Sequence, residues 1–372
     1  MKTRGSILRK SPGRFETAEL ELEGPRTGEL TVKMVAAGLC RSDDHLATGN
    51  STPGTLPLCG GHEGSGVVVE VGPHTPGWSV GDHVVMSFIP ACGRCRWCAE
   101  GKQNLCNLGA YLMLGSRFDD TTSFRMSLDG EPVGQMCGIS TFSEFTTVSV
   151  NSAVKVDVDV PLDKLSLLSC GVGTGWGSAV NAAQVGPRET VIVMGVGGIG
   201  MSAVQGAAHA GALNVIAVDP VLFKREQAPL FGATHVCADI AEAADLARSL
   251  TDGQGADAAI VTVGVTTGEH VGQAIRAIRK AGVVVVTGGG PPGVEQVPIT
   301  LRDLTHLQKR VVGALYGQSS PFGMIPKLVD LYKGGKLKLD EMITRTYTLD
   351  EVADGYDDLQ GGRILRGIVE FS

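Results

Sequence analysis

The sequence is poor in aromatic residues, in basic residues and in long apolar runs. Phe, Trp and Tyr make up 5% of the 372 residues, and 32 Lys and Arg stand against 39 Asp and Glu, which gives a formal charge of −7. Proteins that bind nucleic acid usually carry a basic stripe, and none is visible, so no nucleic-acid partner is expected. Because no run of about 18 apolar residues occurs, a membrane-spanning helix is not expected either.

The N-terminus also lacks the pattern of a secretory signal. Residues Met1–Gly5 lead into no apolar stretch, so we expect a cytoplasmic protein whose thiols stay reduced. Nine cysteines in such a compartment indicate metal binding, catalysis or burial rather than disulfide bonds.

Glycine, in contrast, is abundant. Its 52 residues are about twice the usual share of ~7%. They follow no three-residue period and do not cluster with Ser or Pro, which excludes collagen and flexible low-complexity sequence. The excess predicts a fold in which the backbone approaches itself or a ligand closely at many points.

The organisation of the chain changes near its middle. The first 170 or so residues contain short β segments such as Leu30–Val35, separated by Gly and Pro. From about residue 175, strands alternate with helices, beginning with strand Thr190–Met194 and helix Ile199–Gly211. Helix Glu269–Lys280 and a strand near Val311–Leu315 close this series. The alternation predicts an α/β fold with a parallel sheet, and the last 55 or so residues are expected to rejoin the first domain.

A Gly-x-Gly-x-x-Gly motif follows the first of these strands and opens the helix after it. Its first glycine would permit the turn, the second would let a pyrophosphate approach the backbone, and the third would let helix and strand pack closely. An aspartate 19 residues later could bind both ribose hydroxyls and would repel a 2′-phosphate, which favours NAD over NADP. The competing interpretation is a turn that only packs a helix on a sheet. The predicted cofactor-binding residues here are Gly195, Gly197, Gly198, Ile199, Gly200, Asp219 and Lys224.

Four cysteines lie within 15 residues in the pattern Cys-x2-Cys-x2-Cys-x7-Cys, at Cys92, Cys95, Cys98 and Cys106. Four thiolates at this spacing can close a tetrahedral shell around zinc. Such a shell leaves no position for a substrate, so its predicted role is structural. An iron–sulfur cluster would use the same ligands, but nothing else in the sequence indicates electron transfer.

Two shorter stretches, Cys40–His45 and Gly60–Glu63, hold further metal-ligating side chains. A catalytic zinc needs three protein ligands and one open position. Cys40 and His62 could supply two of these ligands. Spacing does not select the third among the remaining cysteines, which are Cys59, Cys137, Cys170 and Cys237.

These motifs, in this order along the chain, resemble those of the zinc-dependent medium-chain alcohol dehydrogenases. Two segments, Ser87–Cys98 and Val218–Ala228, are similar to the bacterial nicotinoprotein (NDMA-dependent) subgroup. The resemblance implies a GroES-like catalytic domain formed by residues 1–173 and 318–372, with a structural zinc lobe at about 90–110. It also implies an inserted Rossmann NAD-binding domain at residues 174–317.

Matched residue by residue, the resemblance assigns roles within the site. The catalytic zinc ligands that it implies are Cys40, His62 and Cys170. The residues that it implies beside this metal are the proton-relay pair Ser42 and His45, the second carboxylate Glu63, and Asp43 behind the ligand histidine. Those implied for the cofactor, in addition to the glycine motif, are Arg41, Thr174 and Arg366. Those implied for an apolar alcohol channel are Phe88, Met136, Leu315 and Tyr316.

The implied function is the interconversion of alcohols, primary ones above all, and aldehydes by hydride transfer. Two zinc ions per subunit, one catalytic and one structural, and NAD(H) would be the cofactors. Zinc would lower the pKa of the alcohol, and Ser42 would pass the proton to His45. The subgroup further implies NAD(H) held so tightly that a second redox substrate regenerates it in place. A homodimer or homotetramer is expected.

Two alternative functions stay open at this point. Class III-like enzymes, which oxidise a glutathione- or mycothiol-type adduct of formaldehyde, share the four-cysteine lobe and a segment like Gly109–Val133. Their anionic substrate would need basic residues at the pocket mouth, for which Arg117 and Arg125 are candidates, although ordinary surface arginines are the simpler interpretation. The other alternative is a catalytically silent protein that binds zinc and a dinucleotide.

Two features depart from the family pattern. Cys59 precedes the ligand His62 by three residues, and burial is the expected state for it and for the other unassigned cysteines, Cys137 and Cys237. The segment Gly288–Pro292 stands where the family borders the nicotinamide, and its three glycines predict a wider wall.

Overall fold

The computed structural model describes residues 1–290, 293 and 296–371. Its strands are β1 Lys2–Leu8, β2 Glu16–Leu22, β3 Glu29–Gly38, β4 Leu58–Cys59, β5 Gly64–Val71, β6 His83–Met86, β7 Met126–Leu128, β8 Glu131–Gln135, β9 Phe145–Ser149, β10 Ala153–Val156, β11 Thr190–Met194, β12 Asn214–Val218, β13 His235–Cys237, β14 Ala256–Val261, β15 Ile278–Val286, β16 Arg310–Gly313, β17 Ile343–Tyr347 and β18 Arg366–Glu370. Its helices are α1 Arg41–Thr48, α2 Arg96–Ala99, α3 Leu162–Leu165, α4 Gly171–Gly177, α5 Gly198–His209, α6 Leu222–Gln227, α7 Ile240–Leu250, α8 Gly268–Ala277, α9 Leu301–Thr305, α10 Pro321–Lys333 and α11 Val352–Gln360. Within this described part of the chain, no helix has both the length and the apolar character needed to cross a membrane.

The chain forms two compact units. Unit 1 comprises residues 1–170 and 320–372, and unit 2 comprises residues 171–319. The sequence places its domain boundaries at 173/174 and 317/318, and the functional assignment of these domains stays a prediction. Of the glycine-rich segment expected beside the nicotinamide, Pro291 and Pro292 lie outside the described residues.

Unit 1 is built around β-sheets. Strands β1-β2-β7-β8-β4 close a barrel, and a seven-stranded sheet runs in the order β10-β6-β5-β3-β18-β17 with β9 also paired to β3. The ten residues of β3 are buried except for Lys33 and Val35. One of its antiparallel partners is β5, and just beyond their pairing the N–H of Gly38 donates to the carbonyl of Glu63 at 3.1 Å. The ends of two central strands therefore bring the chain around Cys40 next to the chain around His62.

Unit 2 is a parallel sheet covered by helices. Six strands run in the order β13-β12-β11-β14-β15-β16, and every pairing is parallel. All five residues of β11 are buried, as a strand covered on both faces requires. Small residues let the helices approach closely: a Cβ at Gly175 in α4 would lie 2.0 Å from the carbonyl oxygen of Ile199 in α5. The predicted α/β class with a parallel sheet is confirmed.

Two predicted element ends are wrong. The helix predicted over Glu269–Lys280 ends at Ala277, because Ile278 is extended and begins β15 by pairing with Ala256. The strand predicted to reach Leu315 ends at Gly313, and Leu315 begins a 3-10 turn. In the first case, pairing of Ile278 with a distant strand decides the backbone. In the second, the predicted strand followed apolar residues past Gly313, where the pairing with β15 ends.

The interpretation of Arg117 and Arg125 as surface or pocket-mouth residues is also wrong. Their relative exposures are 1% and 2%, and both direct their Nε atoms to one carboxylate oxygen of the buried Glu29, at 3.1 and 2.8 Å. Arg117 further donates to the carbonyl of Phe124 at 2.9 Å, and Arg125 donates to Oε1 of Gln135 at 3.0 Å. The two arginines tie the segment 116–125 to the start of β3 and are not placed to receive an anionic substrate.

The buried carboxylate of Glu29 is stabilised in its charged form. Burial alone would raise the pKa of Glu29, but the charge of Arg125, the backbone N–H of Arg26 and the charge of Arg117 together hold it below its ordinary value. A group whose pKa is lowered by folding stabilises the native state above its unfolded pKa, and this contribution is lost as the pH falls through the folded value.

We expect Glu29→Gln to lower the free energy of unfolding by about 3 kcal/mol at pH 7, because two buried guanidinium groups lose their shared carboxylate. Guanidinium chloride unfolding, followed by circular dichroism, would measure the loss. The difference from the wild type should shrink below pH 4.5, the ordinary pKa of a glutamate. Glu269→Gln, which removes an exposed partner of Arg276, serves as the control and should change little. Equal stability of Glu29→Gln and wild type at pH 7 would contradict the prediction.

Candidate functional site

The four-cysteine segment folds into a tight lobe in unit 1. Cys95 precedes the short helix α2, Cys98 lies within it, and the chain then turns back to Cys106. The four sulfur atoms lie within 4.8 Å of one another, with 4.0 Å between Cys92 and Cys98 and 3.9 Å between Cys95 and Cys106. The backbone N–H of Cys92 donates to the sulfur of Cys106 at 3.3 Å.

This lobe fits a zinc ion. Four thiolates that each lie about 2.3 Å from zinc are about 3.8 Å apart, close to the distances between these sulfur atoms. The backbone N–H groups of Asn107 and Cys98 lower the pKa of Cys95 to about 6, so a thiolate is stabilised there before any metal binds. All four donors are used by one tetrahedral shell, so the lobe has no open position for a substrate.

The second cluster brings together residues that are far apart in the sequence. Cys40 immediately precedes α1, His62 and Glu63 lie between β4 and β5, and Cys170 follows a 3-10 turn at Ser166–Ser169. All four are buried, and one donor atom of each lies within 4.8 Å of the others. The sequence pattern left four cysteines open as the third ligand, and the fold brings Cys170 to this place.

Asp43 holds the imidazole of His62 in place. Its Oδ2 lies 2.7 Å from Nδ1 of His62, and its Oδ1 accepts the backbone N–H of Gly61 at 2.8 Å. Both ring nitrogens are buried. The 2.7 Å contact at Nδ1 is an ion pair rather than a well-aligned hydrogen bond, and Nε2 has no hydrogen-bond partner among the described residues. An imidazole whose Nδ1 contacts a carboxylate and whose Nε2 has no protein partner is the arrangement that a metal ligand needs.

The electrostatics of the cluster favour a cation. Burial alone would lower the pKa of His62, but the negative charges of Asp43 and Cys40 raise it well above its ordinary value. The neighbouring thiol of Cys170 holds the pKa of Cys40 well below its ordinary value despite burial. Two sulfurs and one imidazole nitrogen are ligands that zinc prefers, and three protein ligands leave its fourth position open. The residues therefore fit a catalytic type of zinc site.

Glu63 is paired with Arg366. Oε2 of Glu63 accepts a hydrogen bond from Nη2 of Arg366, and both side chains are buried. A Cβ at Gly38 would lie 2.2 Å from the same carboxylate oxygen, so a larger residue there would displace the carboxylate from the pair. Sequence reasoning missed Gly38, for which its position two residues before Cys40 was the available signal.

Helix α1 carries the predicted relay pair. The hydroxyl oxygen of Ser42 lies 3.9 Å from the sulfur of Cys40, and His45 follows one turn later in the same helix. Arg41, predicted to bind pyrophosphate, pairs through Nη1 with Oδ2 of Asp44 at 3.0 Å. Nε2 of Gln360 donates to the other oxygen of Asp44 at 2.6 Å.

Of the predicted channel residues in unit 1, Phe88 lies beside the metal cluster. Its ring centroid is 5.7 Å from that of His62, in an edge-on arrangement. Met136 is 5% exposed and belongs to the core of the unit. In unit 2, Tyr316 is buried close to Gly173, whereas Leu315 is 47% exposed. Thr174 lies buried in α4, where its carbonyl accepts from Ser178 at 2.7 Å.

The glycine motif of unit 2 has the backbone that the sequence predicts. Gly195 has a φ of +92°, and a Cβ at Gly200 would lie 2.0 Å from its carbonyl oxygen, so the turn and the helix after it approach closely. A Cβ at Gly197 would meet nothing within 4 Å in the described protein, which leaves space for a ligand. The motif opens α5 through Gly198 and Ile199. Oδ2 of Asp219 accepts the N–H of Val196 at 3.0 Å, which ties the ribose-binding candidate to this loop.

The three unassigned cysteines are buried, as expected. Cys59, Cys137 and Cys237 are 0%, 4% and 2% exposed. Burial raises the pKa of Cys59 and of Cys137 to about 12. These thiols stay protonated at neutral pH and act as packing residues.

Comparison with known proteins agrees with this geometry. A family model described as an alcohol dehydrogenase GroES-like domain matches residues 26–158, and one described as a zinc-binding dehydrogenase matches residues 198–334. The NDMA-dependent alcohol dehydrogenase of Amycolatopsis methanolica is 48% identical over 372 residues, which are 100% of both chains. The chain belongs to the zinc-dependent medium-chain alcohol dehydrogenase family.

Two further members of this family support the assignment. Alcohol dehydrogenase B of Mycobacterium tuberculosis is 44% identical over 100% of this chain and 99% of its own. The crystal structure of an alcohol dehydrogenase zinc-binding domain protein from Burkholderia ambifaria superposes with a TM-score of 0.92 at 31% identity, covering 100% of this chain and 99% of that chain. The family is an enzyme family whose cofactors are zinc and a nicotinamide dinucleotide.

We expect Asp43→Asn to weaken zinc binding at the Cys40–His62–Cys170 cluster by about 10–100-fold, because the imidazole loses the negative charge that orients it. Competition with a metal chelator, followed by metal analysis, would measure the change. Zinc in the four-cysteine lobe of the same molecules is the internal control and should be unaffected. Equal loss from both sites would indicate general unfolding, and unchanged affinity would contradict the role of Asp43.

Proposed function

We propose that the enzyme is an NAD-linked dehydrogenase of alcohols, primary ones above all, whose catalytic zinc is held by Cys40, His62 and Cys170. The observation that carries the proposal is this buried three-ligand cluster, in which a carboxylate orients the imidazole. We further propose that a second zinc ion in the four-cysteine lobe stabilises the fold, which gives two zinc ions per subunit.

The residues around the cluster have different proposed roles in the reaction. When bound, zinc supplies a Lewis acid that lowers the pKa of the alcohol, and the nicotinamide ring takes the hydride. Ser42 is exposed and close to Cys40, so its hydroxyl can accept the proton of the alcohol and donate its own. His45, one turn along α1, can carry that proton toward solvent. Phe88 gives the site an apolar wall beside His62.

The choice of cofactor rests on Asp219. Its carboxylate accepts two backbone N–H groups, from Val196 and Val221, which hold it close to the glycine motif. A carboxylate there accepts hydrogen bonds from the 2′- and 3′-hydroxyls of a ribose and repels a 2′-phosphate. NAD(H) is therefore proposed over NADP(H), with Lys224, Thr174, Arg41 and Arg366 as further cofactor-binding residues.

The two units are proposed to have separate tasks. Unit 1 holds every proposed zinc ligand and serves as the catalytic domain, and unit 2 holds the glycine motif and serves as the NAD-binding domain. The homodimeric or homotetrameric state and the cytoplasmic location stay predictions from the sequence.

The enzyme is proposed to keep NAD(H) bound between turnovers, as its similarity to an NDMA-dependent relative supports. An alcohol would then reduce the bound cofactor, and a second redox substrate would reoxidise it in place. Oxidation of a thiol adduct of formaldehyde has no comparable support, since Arg117 and Arg125 are buried against Glu29.

We expect Cys40→Ser and His62→Ala to lower turnover of a primary alcohol by about a thousandfold or more, because the Lewis acid is lost. Metal analysis should find one zinc ion per chain in each variant instead of two. Cys95→Ser is the reciprocal variant and should lose the zinc of the four-cysteine lobe instead. Full activity of His62→Ala would show that this cluster is not the catalytic centre. A zinc-loaded wild type that turns over no alcohol would instead leave a silent binding protein as the better description.

We also expect the purified enzyme to release about one NAD(H), and no NADP(H), per chain when it is denatured. Chromatography of the supernatant would measure the amount. A panel of primary alcohols, tested with and without NDMA as acceptor, should show turnover that depends on the acceptor rather than on added NAD. Release of no cofactor would contradict the tight-binding proposal and leave a dehydrogenase that exchanges NAD freely.

A further inference from the structure

Asp219, directly after β12, uses each of its polar groups within unit 2. Its N–H donates to the carbonyl of Cys237 at 3.2 Å. Its carboxylate accepts the N–H groups of Val196 at 3.0 Å and Val221 at 2.9 Å. Its carbonyl accepts from Nη1 of Arg225 at 2.7 Å. A carboxylate has about four acceptor positions, so about two are left for ribose hydroxyls after the two backbone N–H groups are counted.

Arg225 fixes the loop that carries Asp219. The same Nη1 donates to the carbonyl of Pro220 at 2.9 Å, so one guanidinium bridges two successive carbonyls. The preceding residue, Lys224, behaves differently, since its Nζ lies 3.8 Å from the carboxylate of Asp219. Two adjacent basic residues of α6 therefore act on different parts of Asp219. Lys224 faces its carboxylate, and Arg225 holds its main-chain carbonyl.

We propose that Arg225 is a positioning residue for the cofactor, which keeps Asp219 in its ribose-binding orientation before NAD(H) arrives. The proposal rests on the proposed function in that unit 2 binds NAD(H). A loop that is already ordered does not lose conformational freedom on binding, so more of the interaction energy appears as affinity. Changes of this kind act mainly on the dissociation rate. Arg225 therefore contributes to cofactor retention through the main chain of Asp219 and Pro220.

The test compares Arg225→Met with the wild type after removal of the bound cofactor. NADH is bound again, and its release is followed by the loss of its fluorescence when excess NAD is added. We expect release to become about tenfold faster in the variant. Hydrogen exchange of the Val196 and Val221 amides should also be faster in the cofactor-free variant. Arg248→Met, which removes an exposed partner of Asp245 in α7, is the matched control and should match the wild type in both measurements.

A second variant separates positioning from simple charge attraction. Arg225→Lys keeps the charge, but the lysine Nζ lies one bond nearer the main chain than the Nη1 atom that donates to both carbonyls. It should therefore fail to reach both carbonyls and behave like Arg225→Met. The inference would be overturned if Arg225→Lys released NADH at the wild-type rate. It would also be overturned if Arg225→Met left both the NADH release rate and the amide exchange rates unchanged. Failure of the wild type to bind NADH would instead contradict the proposed function, and the exchange of the two amides would still decide whether Arg225 orders the loop.

Discussion

Burial of two thiols, an imidazole and two carboxylates in one small volume is the constraint on which the architecture of unit 1 depends. Ionised groups taken out of water are costly unless each has a partner. Glu63 finds its partner in Arg366, and Asp43 finds its partners in Gly61 and His62. The sulfur atoms of Cys40 and Cys170 and Nε2 of His62 remain available to a metal, and these are ligands that zinc prefers. Two of these donors, Cys40 and His62, lie just beyond the end of β3 and just before the start of β5.

Hydrogen bonds from backbone N–H groups stabilise three buried carboxylates in this way. Asp43 accepts the backbone N–H of Gly61, Glu29 accepts that of Arg26, and Asp219 accepts two such groups. Each of the three also lies beside a cationic or cation-forming side chain. A backbone N–H is fixed by the fold and cannot rotate away, so it holds a carboxylate in one orientation more reliably than a second flexible side chain. Orientation of these acids is thus a property of the main chain.

The sequence was sufficient to predict a site wherever its residues lie close together in the chain. The cysteine lobe spans 15 residues and the glycine motif six, so spacing alone carries the geometry. The third zinc ligand, the pairing of Gln360 with Asp44, and the burial of Arg117 depend on contacts between residues far apart in the chain, which spacing does not encode. Cys170 was predicted as a zinc ligand from the family resemblance and not from the spacing of the cysteines. The helix predicted to continue beyond Ala277 failed for the same reason, because pairing with a distant strand decided the backbone there.

Retention of a cofactor does not require unusual contacts if the groups that bind it are already fixed. In unit 2, Arg225 and two backbone N–H groups hold Asp219. In unit 1, Arg41 is held by Asp44, whose other oxygen accepts from Gln360. Asp219 and Arg41 are both predicted to contact the cofactor, and contacts within the protein set the orientation of each. Each such restraint removes an entropic cost of binding, and these gains add up when the restraints are independent. The glycines that allow the backbone to approach so closely, Gly38 beside Glu63 and Gly200 beside Gly195, are the condition for this rigidity. At these two positions glycine therefore serves order at the site rather than flexibility.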